Sequence, residues 1–186
     1  MRIFISGGCK NGKSYYAQHL AKVQCADDLY YIATMKSTDS EDDERIKRHR
    51  RERDGWGFET IEQPVDINKI LDKCNHNGSF LLDSITALLA NEMFSSNGKI
   101  NYEAAEKISN ELLQITNAIT NLVIVSDYIY SDALIYNTLT EKYRESLAQI
   151  DCIMAKNCDV VLEIAYTNVI IHKGGEVFNS IYEKIS

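Results

Sequence analysis

The sequence predicts an α/β protein, a mostly parallel β-sheet flanked by helices with a short antiparallel hairpin at the C-terminal end. Three observations lead there. Apolar runs of strand length recur along the chain, segments with helical period lie between them, and a glycine-rich stretch, GGCKNGKS, follows the first run directly. At 186 residues the chain has the length of a single domain, residues 1–186, with a substantial core.

The elements follow in order. Strand-length runs occur at Arg2–Ser6, Leu29–Ala33, Phe80–Asp83, Leu122–Ser126 and Val160–Ala165. They are apolar at nearly every position, so both faces of each strand should be covered. Tyr15–Ala26 reads as a helix after the glycine-rich loop. Ser40–Asp54 reads as a second helix, with Gly55 as its stop and Thr38 with Glu41, or Ser40 with Asp43, as a capping box. A helical stretch follows Ser84. In Tyr102–Ile119, Ala105, Ile108, Leu112, Ile115 and Ile119 form one apolar stripe. Ser131–Asn157 is the last long helix. Asn168–His172 and Val177–Ile181, either side of Gly174-Gly175, read as the arms of the hairpin. Strands alternating with helices imply a parallel sheet with right-handed crossovers.

Composition narrows the function. A formal net charge of -7 argues against a general nucleic-acid binder, because a phosphate backbone demands broad positive surface. The chain shows neither a membrane-spanning stretch nor a secretory leader, so a cytoplasmic location is expected. The five cysteines include no CxxC pair, which fits scattered reduced thiols better than a disulfide framework or a zinc site.

GGCKNGKS, Gly7 to Ser14, matches G-x-x-x-x-G-K-[ST], with a strand before it and a helix after. This is a P-loop, and the fold expected is P-loop NTPase-like. Backbone N–H groups of Gly7, Gly8, Cys9, Lys10, Asn11 and Gly12 can curl around phosphate oxygens. Lys13 reaches the β- and γ-phosphates, Ser14 offers a hydroxyl to Mg²⁺, and the helix N-terminus adds partial positive charge. Asp83, closing the run FLLD, is the candidate acid for the metal; its alternative role is a helix N-cap.

ERIKRHRRER, Glu44 to Arg53, is anomalous in so acidic a chain. One reading is a solvated helix, with acids in its first turn, bases later, and Glu41–Arg45 and Glu44–Arg48 as i,i+4 pairs. The other centres on His49, with Arg45 one turn before it and Arg53 one turn after. Flanking positive charge disfavours imidazolium, leaving a neutral, nucleophilic ring. Such a ring among phosphate-binding arginines can attack an α-phosphorus, expel pyrophosphate and carry the nucleotide as a phosphoramidate. Direct γ-phosphoryl transfer has no need of that histidine.

Taken together, GGCKNGKS, YIAT (Tyr31–Thr34), ERIKRHRRER with Trp56, ETIEQP (Glu59–Pro64) and LLDSITALLAN (Leu81–Asn91) resemble the bifunctional adenosylcobinamide kinase / adenosylcobinamide-phosphate guanylyltransferase family of the cobalamin pathway. The resemblance implies phosphorylation of the cobinamide hydroxyl, then transfer of GMP from GTP through a covalent GMP-histidine at His49. It also implies that Ala33, Thr34, Arg50, Arg51, Glu52, Arg53, Glu62 and Asp83 contact the guanine nucleotide. GTP and ATP are the implied substrates and a corrinoid, adenosylcobinamide, the acceptor. The expected assembly is a homo-oligomer, a trimer with sites between subunits.

The second half departs from the family. Where the family shows N-E-V-G, the chain has Asp127-Tyr128-Ile129-Tyr130. An R-D-x-x-G-x-x-N pattern becomes Arg144 to Asp151, with alanine for the glycine and aspartate for the asparagine. Two alternatives therefore stand beside the bifunctional enzyme: a P-loop small-molecule kinase or nucleotidyltransferase with another acceptor, and a non-enzymatic nucleotide-binding module. His19 and His76 read as surface residues and His172 as a polar strand end. Tyr128, Tyr130, Tyr136 and Tyr143 read as packing residues, with a corrin or adenine face as the alternative partner.

Overall fold

The computed structural model describes residues 1–25, 27–37, 40–94 and 98–182. The side chains of Ser40, Glu41, Asp42, Arg45, His49, Glu52, Ile181 and Tyr182 lie outside what is described. The elements are β1 (Arg2–Gly7), α1 (Lys13–Val23), β2 (Leu29–Ala33), α2 (Ser40–Glu52), β3 (Glu59–Glu62), a 3₁₀ turn (Ile67–Asp72), β4 (Ser79–Asp83), α3 (Ile85–Met93), α4 (Ala104–Ala118), β5 (Asn121–Asp127), α5 (Thr138–Asn157), β6 (Val160–Ala165), β7 (Asn168–Lys173) and α6 (Gly175–Tyr182).

They form a seven-stranded sheet in the order β3-β2-β4-β5-β1-β6-β7. Every pairing is parallel except β6 with β7. The consecutive apolar residues of each strand divide between the two faces. Ile3, Ile5, Tyr31, Leu81, Val123, Val125 and Leu162 pack under Ala17 and Leu20 of α1 and Phe178 of α6. Phe4, Ile32, Phe80, Leu82, Leu122 and Ile124 pack against α3, α4 and α5. Burial on both faces requires an apolar residue at every position, which is why these strands lack alternation. Parallel pairing also brings the ends of six strands, Gly7, Ala33, Glu62, Asp83, Asp127 and Ala165, to one rim.

Three features differ from expectation. β3 is an unforeseen edge strand, short and mostly exposed, with only Ile61 apolar; strands with one free edge need little hydrophobic pattern. The last long helix begins at Thr138 instead of Ser131, capped by Asn137, whose side chain accepts from the Thr140 N–H at 2.9 Å. The hairpin is there, but its arms are β6 and β7, turned at Tyr166 and Thr167, both left-handed at φ 51 and 66. Val177–Ile181 is helical, not a strand; Phe178 is buried while Val177, Asn179 and Ser180 are exposed, as one helical turn allows. The predicted caps of α2, Thr38 with Glu41 and Ser40 with Asp43, lie outside the described residues. Its ion pair Glu41–Arg45 does too, while Glu44 bonds Lys47 at 3.2 Å.

Candidate nucleotide-binding site

The site is built where β1 ends. Gly7 pairs with both Asp127 and Ile164, in the middle of the sheet. A Cβ on Gly7 would lie 2.5 Å from both the Asn11 side-chain nitrogen and the Ile164 carbonyl, so only glycine lets the chain turn there. Asn11 donates its amide to that same carbonyl, bracing the loop. Lys10 and Gly12 take left-handed φ of 57 and 91. Gly8, Cys9 and Gly12 thread over the end of the strand, and Gly12 caps α1. Ser14 sits half-buried in the first helical turn.

Lys13 is 4% exposed. Its ammonium donates to the Gly8 carbonyl at 2.6 Å, to Asn11 Oδ1 at 3.3 Å and to Asp127 Oδ1 at 2.6 Å. A buried ammonium needs such a set of acceptors, including one opposite charge. Asp127 is itself fixed, its N–H donating to Thr86 Oγ1 at 2.9 Å. Sequence reasoning missed this partner, although Asp127 closes its apolar run just as Asp83 closes FLLD.

Asp83 lies on the same rim, with β5 between its strand and β1. Its carboxylate accepts the Tyr31 hydroxyl at 2.8 Å. The N-cap of α3 is Ser84, not Asp83, with Ser84 Oγ accepting from the Ala87 N–H at 3.4 Å. Asp83 and the Ser14 hydroxyl are hard oxygen donors of the kind Mg²⁺ accepts alongside substrate phosphates. Among the described residues, no cluster of three or more His, Cys, Asp or Glu side chains makes a dedicated metal cage.

Beyond Asp83 the rim continues to Ala33 and Glu62, which pair in register. Thr34 is fully buried; its hydroxyl donates to the Ser84 carbonyl at 2.8 Å and accepts the Ser84 N–H at 2.7 Å. Its side chain thus ties β2 to the start of α3. Arg50 reaches down from α2 to Glu62, and both are largely exposed. Arg51 also faces solvent, bonding the Lys47 carbonyl of its own helix at 3.4 Å. Arg53 was expected on the His49 face of the helix. It lies past the end of α2, 8% exposed, with its guanidinium carbon 3.5 Å from the centre of the Tyr31 ring. Arg50, Arg53, Gly57, Phe58, Thr60 and Glu62 line an open groove of about 600 Å³.

The end of α2 is also tied to α1. The Trp56 ring lies 4.5 Å from that of His19 and 5.8 Å from that of Tyr15, both edge-on, and Lys22 stands 5.4 Å over Trp56. Burial and then Lys22 hold the His19 pKa below its ordinary value, keeping the ring uncharged within this cluster. Tyr15 directly follows Ser14, so the segment just past the basic helix is packed against the helix that opens from the phosphate loop. His49 belongs to α2; its side chain, like that of Glu52, lies outside the described residues.

Comparison with known proteins gives a family and a fold. The family described as "Cobinamide kinase / cobinamide phosphate guanyltransferase" matches residues 3–167. A bifunctional adenosylcobalamin biosynthesis protein of Escherichia coli is 30% identical over 121 residues, 61% of this chain and 65% of that protein. Its Salmonella typhimurium counterpart is 26% identical over 172 residues, 87% of this chain and 93% of that protein. The chain thus spans just under two thirds of the first relative and nearly all of the second. Among solved structures, the flagellar accessory protein FlaH of Methanocaldococcus jannaschii is similar with a TM-score of 0.51 at 16% identity, covering 92% of this chain and 77% of that one. A solved ATPase domain gives 0.52 at 14% identity, covering 92% and 76%. At such identities these two speak to the fold alone, which is that of P-loop NTPases.

Proposed function

The chain belongs to the cobinamide kinase / cobinamide phosphate guanyltransferase family, and from that premise we propose that it phosphorylates adenosylcobinamide and then joins GMP to the product. In the first transfer the acceptor hydroxyl oxygen attacks the γ-phosphorus of ATP or GTP held by Gly7–Ser14. The bond from that phosphorus to the β,γ-bridging oxygen breaks, the diphosphate leaves, and the hydroxyl proton goes to solvent. Lys13 exchanges its bond to Asp127 for phosphate oxygens. Ser14 and Asp83 would hold Mg²⁺, which supplies charge neutralisation on the phosphates.

In the second transfer a neutral His49 nitrogen attacks the α-phosphorus of GTP. A P–N bond forms, the bond to the α,β-bridging oxygen breaks, pyrophosphate leaves, and the imidazolium loses its other N–H proton to water. The acceptor's phosphate oxygen then attacks the same phosphorus and releases the histidine. Arg50 and Arg53, on the groove beside α2, neutralise phosphates during this step, with Arg51 and Glu52 on the same segment and Ala33, Thr34 and Glu62 at the nucleoside end.

The observation that carries this reading is the junction of the phosphate-loop helix with the segment that leaves the basic helix, through Tyr15, His19 and Trp56. Phosphoryl transfer alone has no use for a basic, histidine-bearing helix fastened at that point. The test is incubation with α-labelled GTP and Mg²⁺. An acid-labile, alkali-stable label on the protein, absent in His49→Ala and discharged by adenosylcobinamide phosphate, is expected. Equal labelling of the variant removes His49 from the role. Label that forms but is not discharged points instead to a transferase with another acceptor. A homo-oligomer, trimeric as in the family resembled, is the expected assembly, checked by light scattering.

A further inference from the structure

A second cavity opens on the other side of the phosphate-loop strand. It measures about 370 Å³ and is bounded by Ser6 of β1, Tyr128 and Tyr130 after β5, Val161 and Glu163 of β6 and His172 of β7. Neither the phosphate loop nor the arginine groove uses it. Its walls are mainly aromatic and aliphatic, and its polar groups are few. The Glu163 carboxylate lies 2.9 Å from His172 Nε2. The Ser6 hydroxyl is buried, beside the Tyr130 phenol. Concave apolar walls with a few convergent polar groups are the usual build of a small-molecule site.

The cavity adjoins the strand end that carries the phosphate loop. Ser6 pairs with Glu163, and the next residues along, Gly7 and Ile164, are the pair that carries the loop. The Tyr128 N–H donates to the Gly7 carbonyl at 3.2 Å. Burial first, and then the neighbouring Glu163 carboxylate, raise the pKa of the Tyr128 phenol, which also faces the backbone of Gly8. A molecule in the cavity would therefore lie beside Tyr128, which borders the phosphate loop.

Charge decides what that molecule can be. The arginine groove suits an anion. This cavity offers a carboxylate, neutral hydroxyls and a histidine already engaged by that carboxylate, so a phosphorylated group would be repelled. Its volume excludes a macrocycle and suits a slender arm.

We propose that the cavity between β6, β7 and the segment after β5 binds the neutral hydroxyl-bearing arm of the unphosphorylated acceptor, with Glu163 and Ser6 hydrogen-bonding the arm and His172 holding Glu163 in place. The two successive acceptors then occupy different places. The uncharged alcohol enters beside Tyr128, and its phosphate ester leaves for the arginines. This inference rests on the kinase reading above.

The test uses the full chain carrying Glu163→Gln or His172→Ala, two changes at a partly open site that leave the phosphate loop intact. Adenosylcobinamide is the probe for the first transfer. Its KM should rise about tenfold in Glu163→Gln, the effect of weakening one hydrogen bond to a charged group, and by less in His172→Ala. Protein labelling by α-labelled GTP, and its discharge by adenosylcobinamide phosphate, should stay within about twofold of the parent, as the arginine groove is untouched. An unchanged KM in both variants overturns the proposal, as does discharge that falls in parallel with the first transfer. Failure of the parent protein to phosphorylate adenosylcobinamide overturns instead the kinase reading beneath it.

Discussion

Two aspartates carry most of the information at the residue scale. Asp127 meets Lys13 at 2.6 Å, the lysine 4% and the aspartate 32% exposed. Removing one partner strands the other. Asp127→Asn should lower stability by about 1–2 kcal/mol in the absence of nucleotide, with part of the loss restored by bound phosphates. Thermal melts with and without Mg²⁺–GTP should show a larger ligand-induced rise for the variant than for the parent. Asp151 is the reverse case. It is 3% exposed, and Tyr130 and Ser126 donate to one oxygen at 2.8 and 3.0 Å while the other finds no partner among the described residues. Burial pushes its pKa up to about 6. A raised carboxylate pKa means the folded state binds the proton more tightly than the unfolded chain does. Its ionisation therefore costs stability as pH rises from about 4 through about 6, and the cost is complete above that. At about 1.4 kcal/mol per pKa unit, Asp151→Asn should stabilise the protein by about 2–3 kcal/mol at pH 7.5 and by almost nothing at pH 4. Denaturant melts at the two pH values test this; equal effects at both would refute the assignment.

At the scale of elements, the phosphate loop and α2 behave differently. The loop is over-determined: Asn11, Ile164 and Lys13 crowd the place a Cβ on Gly7 would take. Gly7→Ala should destabilise by about 1–3 kcal/mol through overpacking and abolish nucleotide binding, read by calorimetric titration. The segment just past the C-terminal end of α2 is fastened by Arg53 on Tyr31 and by Trp56 among Tyr15, His19 and Lys22. Each aromatic contact is worth about 0.5–1.5 kcal/mol. Trp56→Ala should therefore loosen the helix and not the loop. The rate of GMP labelling is expected to fall about tenfold while GTP affinity changes by less than about threefold. A parallel loss of both would mean that Trp56 supports the fold alone.

Across the whole molecule, ion pairs join elements that lie apart in sequence. Asp66, at the start of the 3₁₀ turn, bonds Lys107 of α4 at 2.5 Å and Lys69 at 2.7 Å, and Lys107 also bonds Glu92 of α3 at 2.6 Å. Hydrogen bonds from Lys107 and then Lys69 lower the Asp66 pKa to about 2. The sign is opposite to that of Asp151. A depressed carboxylate contributes stability that is present above pH 4 and lost as pH falls toward 2. Relative to Asp66→Asn, the parent protein should lose its advantage in melting temperature over that interval, followed by circular dichroism. An advantage that persists unchanged at pH 2 would contradict the pairing.

The sequence by itself determined the strand–loop–helix of Gly7–Ser14, the five central strands and the alternation that makes them parallel. Those features are local, or repeat at each strand, and need no knowledge of what packs where. It also pointed to Asp83 as a rim residue and to α2 as a helix. Only the tertiary structure decided which acid meets Lys13, because Asp127 and Lys13 are joined through β-sheet order and not through spacing. The same holds for the Tyr15–His19–Trp56 contact, for Arg53 turning inward beyond the helix, and for the cavity between β6 and β7. β3 and the C-terminal helix escaped notice for a related reason. A mostly exposed edge strand and a short C-terminal helix carry too little hydrophobic period to be read before the sheet they complete is known.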